Sequence, residues 1–368
     1  MDITPYLKLM AEKEASDLFF SVGAPPTIKI QGQSLPVGKT VLQPGDVRKL
    51  AWSITDDAQQ KEFERELELN LAISLDTTGR FRVNVYRQRG EVAMVIRYIK
   101  TRIPGIEELR LPVILKDLVM EARGLILVVG ATGSGKSTTL ASMVDHRNNS
   151  RDGHILTIEE PIEFLHAHKK SIVDQREIGL DTHSYANALK NAMREAPDVI
   201  LIGEIRDRDT MQHAIAYAET GHLCLSTLHA NNANQAIDRI INFFPDSAHH
   251  QLLIDLAQNL RAVVSQRLIP GLKGQRVPAV EIMLKSPYIS DLIEKREIDM
   301  LKEAIEKSRD SGMQTFDQSL YDLFVAGEIS EEQALNNADS RNNLALRLRL
   351  NKGGPAEGED SGLTFDHG

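Results

Sequence analysis

Apolar and polar residues alternate through much of the first hundred positions. In "LNLAISLDTTGRFRVNVYRQRGEVAMVIRYI", Leu71, Ile73 and Leu75 and then Phe81, Val83 and Val85 recur at every second place, with the cluster Asp76–Gly79 between them. That period predicts antiparallel strands joined by a turn, continuing into a meander. The charged stretch "DDAQQKEFERELE" before it carries few breakers and predicts a helix, while "DLFFSVGAPPTIKIQG" predicts a strand, a turn and a strand. Together these make a small α+β domain over residues 1–100.

A connector, "KTRIPGIEELRLPVILKDLVMEARG", follows, punctuated by Pro104 and Pro112 and predicting a helix after Pro112. We take residues 101–118 as a linker. Beyond it the pattern changes. Short apolar runs "LILVVG", "HILTIEE", "DVILIGE" and "HLCLSTLHA" alternate with helical stretches, as in a mainly parallel sheet wrapped by helices. This α/β domain is expected over residues 119–345, with a helical last part that includes "LLIDLAQNLRAVVSQRLI" and "ISDLIEKREIDMLKEAIEKSR". The Gly-, Pro- and acid-rich end predicts a disordered acidic tail over 346–368.

A length of 368 residues agrees with two domains rather than one core. No apolar run approaches the roughly 20 residues that span a bilayer. The first twenty residues lack a basic start, an apolar core and a cleavage site, so a cytoplasmic protein is expected. A formal charge of −9 counts against nucleic acid as the principal ligand. The single cysteine, Cys224, cannot close an internal disulfide and reads as a small buried strand residue. Histidine pairs at 166/168 and 249/250 have no cysteine framework beside them and read as loop or helix positions rather than metal ligands.

The chemistry concentrates in the second domain. Gly130-Ala131-Thr132-Gly133-Ser134-Gly135-Lys136-Ser137 matches G-x-x-x-x-G-K-[ST] in full, after the strand "LILVV" and before the helix-prone "STTLASMVD" that carries Thr138. Its glycines let backbone N–H groups turn toward phosphate oxygens, the helix N-terminus adds positive potential, and Lys136 reaches the β and γ phosphates of ATP. Ser137 would then hold Mg²⁺. Hydrolysis also needs acids. Glu204 closes "DVILIGE", and Glu159, Glu160 and Glu163 cluster in "TIEEPIEF", both at predicted strand ends that face a ligand crevice in such sheets. His229, at the tip of "HLCLSTLHA", could donate a hydrogen bond to a γ-phosphate if its strand runs parallel to the phosphate-loop strand.

The ordered set "GATGSGKSTT", "ILTIEEPIEF", "MREAPDVILIGEIRD" and "TGHLCLSTLHANNA" resembles the type II/IV secretion ATPase superfamily, as Walker A, Asp box, Walker B and His box. "ASDLFFSVGAPPTIKIQGQ" and "GRFRVNVYRQRGEVAMVIRYI" are similar to the N-terminal domain of the type IV pilus retraction ATPases (the PilT/PilU family), and "AIDRIINFFP", "LRAVVSQRLIP", "EIML" and "GMQTFDQSL" to the rest of their motor domain. The resemblance implies a PAS-like N-terminal domain, a RecA-like ATPase domain and a homohexameric ring that uses ATP and Mg²⁺ at the inner-membrane pilus base. It implies Glu163 as the catalytic glutamate, Glu204 as the Walker B acid and metal holder, His229 as the His-box residue, and Arg82 and Arg97 as arginines that reach nucleotide across a subunit boundary. A single cysteine and a short N-terminus place the chain with the retraction branch. The stretch "YISDLIEK" at 288–295, where "AIRNLIRE" is the pattern, points to the PilU-type subfamily, with the ATPase PilT and the platform protein PilC as implied partners. Two other classes stay open at this point: a nucleotide-regulated ring that docks with little hydrolysis, and a nucleic-acid translocase on the same core.

Overall fold

The computed structural model describes residues 2–352 apart from Gln31, Asp76, Thr77 and Lys100, so half of the turn cluster and most of the expected tail lie outside the described residues. Along the chain the first elements are α1 (Thr4–Glu12), β1 (Asp17–Phe20), β2 (Thr27–Ile30), β3 (Gln33–Pro36), α2 (Asp46–Trp52), α3 (Asp57–Glu66), β4 (Glu68–Leu75), β5 (Gly79–Gln88) and β6 (Glu91–Ile99). There follow α4 (Ile114–Val119), β7 (Gly124–Val129), α5 (Lys136–Ser150), β8 (Gly153–Glu159), β9 (Ser171–Glu177), α6 (Tyr185–Ala192), β10 (Val199–Ile202), α7 (Arg208–Glu219) and β11 (Leu223–Leu228). The last are α8 (Ala233–Asn242), α9 (His249–Asn259), β12 (Leu260–Pro270), β13 (Arg276–Leu284), α10 (Pro287–Glu294), α11 (Leu301–Lys307), α12 (Phe316–Val325), α13 (Glu331–Asn336) and α14 (Arg341–Lys352).

Strands β1–β6 form an antiparallel sheet in the order β3-β2-β1-β6-β5-β4. The period-two pattern is realised in β5, where Phe81, Val83 and Val85 are fully buried and join Leu7, Phe20, Phe63 and Ile96 in one core. Helix α3 begins where Asp56 accepts from the N–H groups of Ala58 and Gln59 while Gln59 reaches back to Asp56, a reciprocal cap that fixes its start. Strands β7–β13 belong to a mainly parallel sheet of seven. In it β7 runs parallel to β11 and β12, β8 runs parallel to β9 and β10, and β13 returns antiparallel to β12. Cys224 is fully buried in β11.

Two compact units result. One combines the described chain up to residue 105 with 140–205, and the other combines 106–139 with the described chain from 206 onward.

Two expectations need correction. The helix expected through "LLIDLAQNLRAVVSQRLI" ends at Asn259, and residues 260–270 form β12. An unbroken buried run from Ala262 to Gln266 lacks the alternation that marks a strand, and only its neighbours β7 and β13, which cover both edges, resolve it. Residues 346–352, expected in the tail, instead continue α14 to Lys352. Leu344 and Leu348, four residues apart, are buried with Phe316, Leu320 and Ile329 in a separate apolar cluster. No described helix is long and apolar enough to cross a membrane.

Candidate functional site

In the second unit, strand register builds the phosphate loop. Val129 of β7 is matched with Leu228 of β11 on one side and with Ser265 of β12 on the other. The next residues along these parallel strands are Gly130, His229 and Gln266, so the loop opens between the two. A Cβ on Gly130 would lie 2.6 Å from the Gln266 carbonyl oxygen. Gly135 has φ +93°, and a Cβ there would lie 2.7 Å from Gln266 Nε2. Thr139 Oγ1 donates to Gln266 Oε1 at 2.7 Å, which pins that amide against the loop.

Lys136 is buried, and its Nζ donates to the carbonyls of Gly130 at 2.9 Å and Ala131 at 3.1 Å. Ser134 Oγ is buried with no hydrogen-bond partner. Ala131, Thr132 and Gly133 are exposed, Arg276 Nη1 donates to the Gly133 carbonyl at 3.5 Å, and Ser137 and Thr138 stand half-buried in the first turn of α5. A cradle that side chains would fill, an orphaned hydroxyl donor and a lysine folded over the loop suit phosphate oxygens. Among the described residues no cluster of three or more His, Cys, Asp or Glu could hold a metal alone. The Ser137 hydroxyl, half-buried at the start of α5, is of the donor type that Mg²⁺ takes beside phosphate oxygens and water.

The first unit carries the acids. Register pairs Glu159 of β8 with Glu177 of β9. Burial pushes the Glu159 carboxyl up to about 7, opposed by hydrogen bonds from Thr157 Oγ1 at 2.7 Å and Gln175 Nε2 at 3.3 Å and reinforced by the charges of Glu163 and Glu177. Glu177 is only 1% exposed, and its Oε2 accepts the Ile162 N–H at 3.3 Å. It thereby anchors the segment in which Glu163 stands exposed between buried Ile162 and Phe164. Burial also raises the Glu177 carboxyl, against Arg82, whose Nε lies 3.7 Å from Oε1. Glu204 follows β10 and is half-buried. Gly203 before it sits where a Cβ would meet Tyr185 Oη at 3.0 Å and Glu159 Cα at 3.2 Å, so a side chain there would press on these groups.

Arg82 and Arg97 face each other across β5 and β6. Arg97 Nε donates to Asp17 Oδ1 at 2.9 Å. The predicted site residues therefore divide: Arg82, Arg97, Glu163 and Glu204 lie in the first unit, and the loop Gly130–Thr138 with His229 in the second. The reading from sequence missed Glu177 and Gln266. Glu177 ends a polar edge strand, "SIVDQRE", whose hydrophobicity is too low to announce it, and Gln266 lies in the stretch read as helix.

Residues 59–328 match the family described as type II/IV secretion system protein. The chain is 52% identical over 351 residues to the type IV pilus ATPase PilU of Pseudomonas aeruginosa, covering 95% of this chain and 92% of that one. The chain belongs to the PilT/PilU family of type IV pilus ATPases. The type IV pilus retraction ATPase PilT of the same organism is 42% identical over 338 residues, 92% of this chain and 98% of its own. A crystal structure of the pilus retraction motor PilT with bound ADP superposes with a TM-score of 0.88 at 40% identity, covering 94% of this chain and 99% of that one. Membership of the PilT/PilU family makes the chain a P-loop ATPase of the secretion superfamily.

Proposed function

We propose that this chain is a Mg²⁺-dependent ATPase motor of type IV pilus retraction, of the PilU type, which works with PilT to couple ATP hydrolysis to pilus disassembly and twitching motility. The observation that carries the reading is the 52% identity to PilU over nearly the whole of both chains. In this reading the 1–100 and 119–345 segments act as an N-terminal domain and a motor domain. The working form is a homohexameric ring, cytoplasmic and peripheral to the inner membrane at the pilus base, acting on the platform protein PilC.

The loop N–H groups from Gly130 to Thr138 bind phosphate oxygens, and Lys136 exchanges its carbonyl partners for the β and γ phosphates. Ser137 and Glu204 would hold Mg²⁺, which would supply charge neutralisation on the phosphates. Glu163 orients the attacking water and takes its proton, and its exposed position between two buried neighbours suits a group that must meet solvent. His229, one strand away from the loop, donates to the γ-phosphate and loses that contact on hydrolysis. Arg82 and Arg97, paired with Glu177 and Asp17, reach the nucleotide of a neighbouring subunit.

Retraction in living cells tests this function. Cells carrying Lys136→Ala in place of the native chain should assemble pili but retract them poorly under load, with PilT present in both strains. Retraction frequency and force equal to wild type would refute the proposal.

A further inference from the structure

Glu281 lies in the middle of β13 and is 2% exposed. Two donors converge on its Oε1: the backbone N–H of Ala233 at 2.8 Å and Ser265 Oγ at 3.1 Å. Ala233 is the first residue of α8, so its N–H is one of those a helix leaves without an internal partner. Only Ala230, Asn231 and Asn232 separate it from His229. Asn232 caps the same helix by accepting from the Gln235 N–H at 2.9 Å, so the end of the turn is fixed twice.

A second anchor comes from β12. Arg267 Nη2 donates to the Asn231 carbonyl at 3.5 Å and to Asp339 Oδ1 at 2.7 Å, and Nη1 donates to the Asn337 carbonyl at 2.7 Å. Its guanidinium lies 3.9 Å from the centre of the Phe316 ring. Arg267 thus ties the His229 turn to the segment between α13 and α14. Asp317 accepts the N–H groups of Asp339 at 2.8 Å and Ser340 at 3.1 Å, which holds that segment in turn.

We propose that Glu281 and Arg267 form a latch that positions His229: Glu281 fixes the far end of its turn through Ala233, and Arg267 joins the middle of that turn to the C-terminal helices. Both are positioning residues, acting through the backbone and not on the nucleotide. The proposal rests on the reading of His229 as the group that contacts the γ-phosphate. A buried carboxylate serving only the core would need no partner in this turn, whereas here one oxygen serves both the turn and the neighbouring strand. Burial pushes the Glu281 carboxyl up to about 7, so glutamine is a close mimic of it near neutral pH.

Steady-state ATP hydrolysis by the full chain, with kcat and KM resolved, tests the latch. Glu281→Ala should lower kcat about tenfold while KM changes less than about twofold, since the lost bond orients a group used in the transition state. Glu281→Gln should recover most of the loss, because its carbonyl oxygen can accept from both Ala233 and Ser265. Glu281→Asp keeps the carboxyl group but is one methylene shorter, and it should resemble the alanine variant. In a His229→Ala background, Glu281→Ala should add no further loss. Wild-type kcat in the aspartate variant, a glutamine variant as poor as alanine, or the same loss without His229 would each overturn the latch. If the alanine variant does not fold, the aspartate and glutamine pair decides. His229→Ala with full kcat would instead refute the underlying reading of His229, whatever the Glu281 series gives.

Discussion

Gln266 sets how much room the phosphate loop has. Its amide nitrogen would be 2.7 Å from a Cβ on Gly135, and Thr139 holds the same amide on its other side. Gly135→Ala should therefore weaken ATP binding at least about tenfold, from backbone strain and displacement of this amide together, as read by titration with a fluorescent nucleotide. At Gly133, φ is +78° but a Cβ would meet nothing within 4 Å, so Gly133→Ala should carry the strain alone and lose less. Equal losses would show that Gln266 does not shape the loop. The loop's chemistry was legible in the sequence because its glycines, lysine and serine are contiguous. Gln266 was not, because it reaches the loop only through the register of a strand more than a hundred positions later.

Glu159 makes a pH prediction at the same scale. Its folded-state value of about 7 lies above the ordinary 4.5, so the folded protein holds a proton that the unfolded chain releases between those values. Its contribution is full below about pH 4.5 and is lost as pH rises through about 7. Thermal melting from pH 5 to pH 8 should show Glu159→Gln gaining on wild type as pH rises, because glutamine keeps acceptor and shape without the titration. A constant difference across that range would mean that Glu159 does not titrate there.

Elements with a clear period were readable and those defined by their neighbours were not. Strand β5 alternates between buried and less buried positions, and the turn-bounded runs β7, β8, β10 and β11 announce themselves by length and flanking residues. Strand β12 does not alternate, because it is buried across its width between β7 and β13, and its apolar run continues that of α9. Strand β9 fails in the opposite way: of its two apolar residues Ile172 is 58% exposed and only Val173 is buried, and the rest is polar. The domain was expected to end at residue 345, yet α14 runs on to Lys352, and the burial that holds it falls four residues apart, at Leu344 and Leu348. Leu348→Ala should cost about 2–4 kcal/mol of unfolding free energy, whereas Leu350→Ala, at a position 69% exposed, should stay within about 0.5 kcal/mol. Denaturant titration of both variants checks this, and equal effects would contradict the packing of α14.

For the whole molecule, charge and membership of the PilT/PilU family point the same way. A chain with formal charge −9 carries no net basic field, so fluorescence anisotropy should detect no salt-sensitive DNA binding at about 150 mM salt. Strong binding that falls steeply with salt would revive the translocase reading. The central claim is the proposal that this chain hydrolyses ATP with its phosphate loop, Glu163 and Glu204. The most direct test is Mg²⁺-dependent ATP hydrolysis by purified, assembled rings of wild type beside Lys136→Ala, Glu163→Gln and Glu204→Ala, with assembly measured in each sample. Turnover in wild type that falls at least about a hundredfold in all three while the rings persist is the predicted result. Assembled wild-type rings that turn over no faster than Glu163→Gln would contradict it and leave a nucleotide-regulated docking ring in its place.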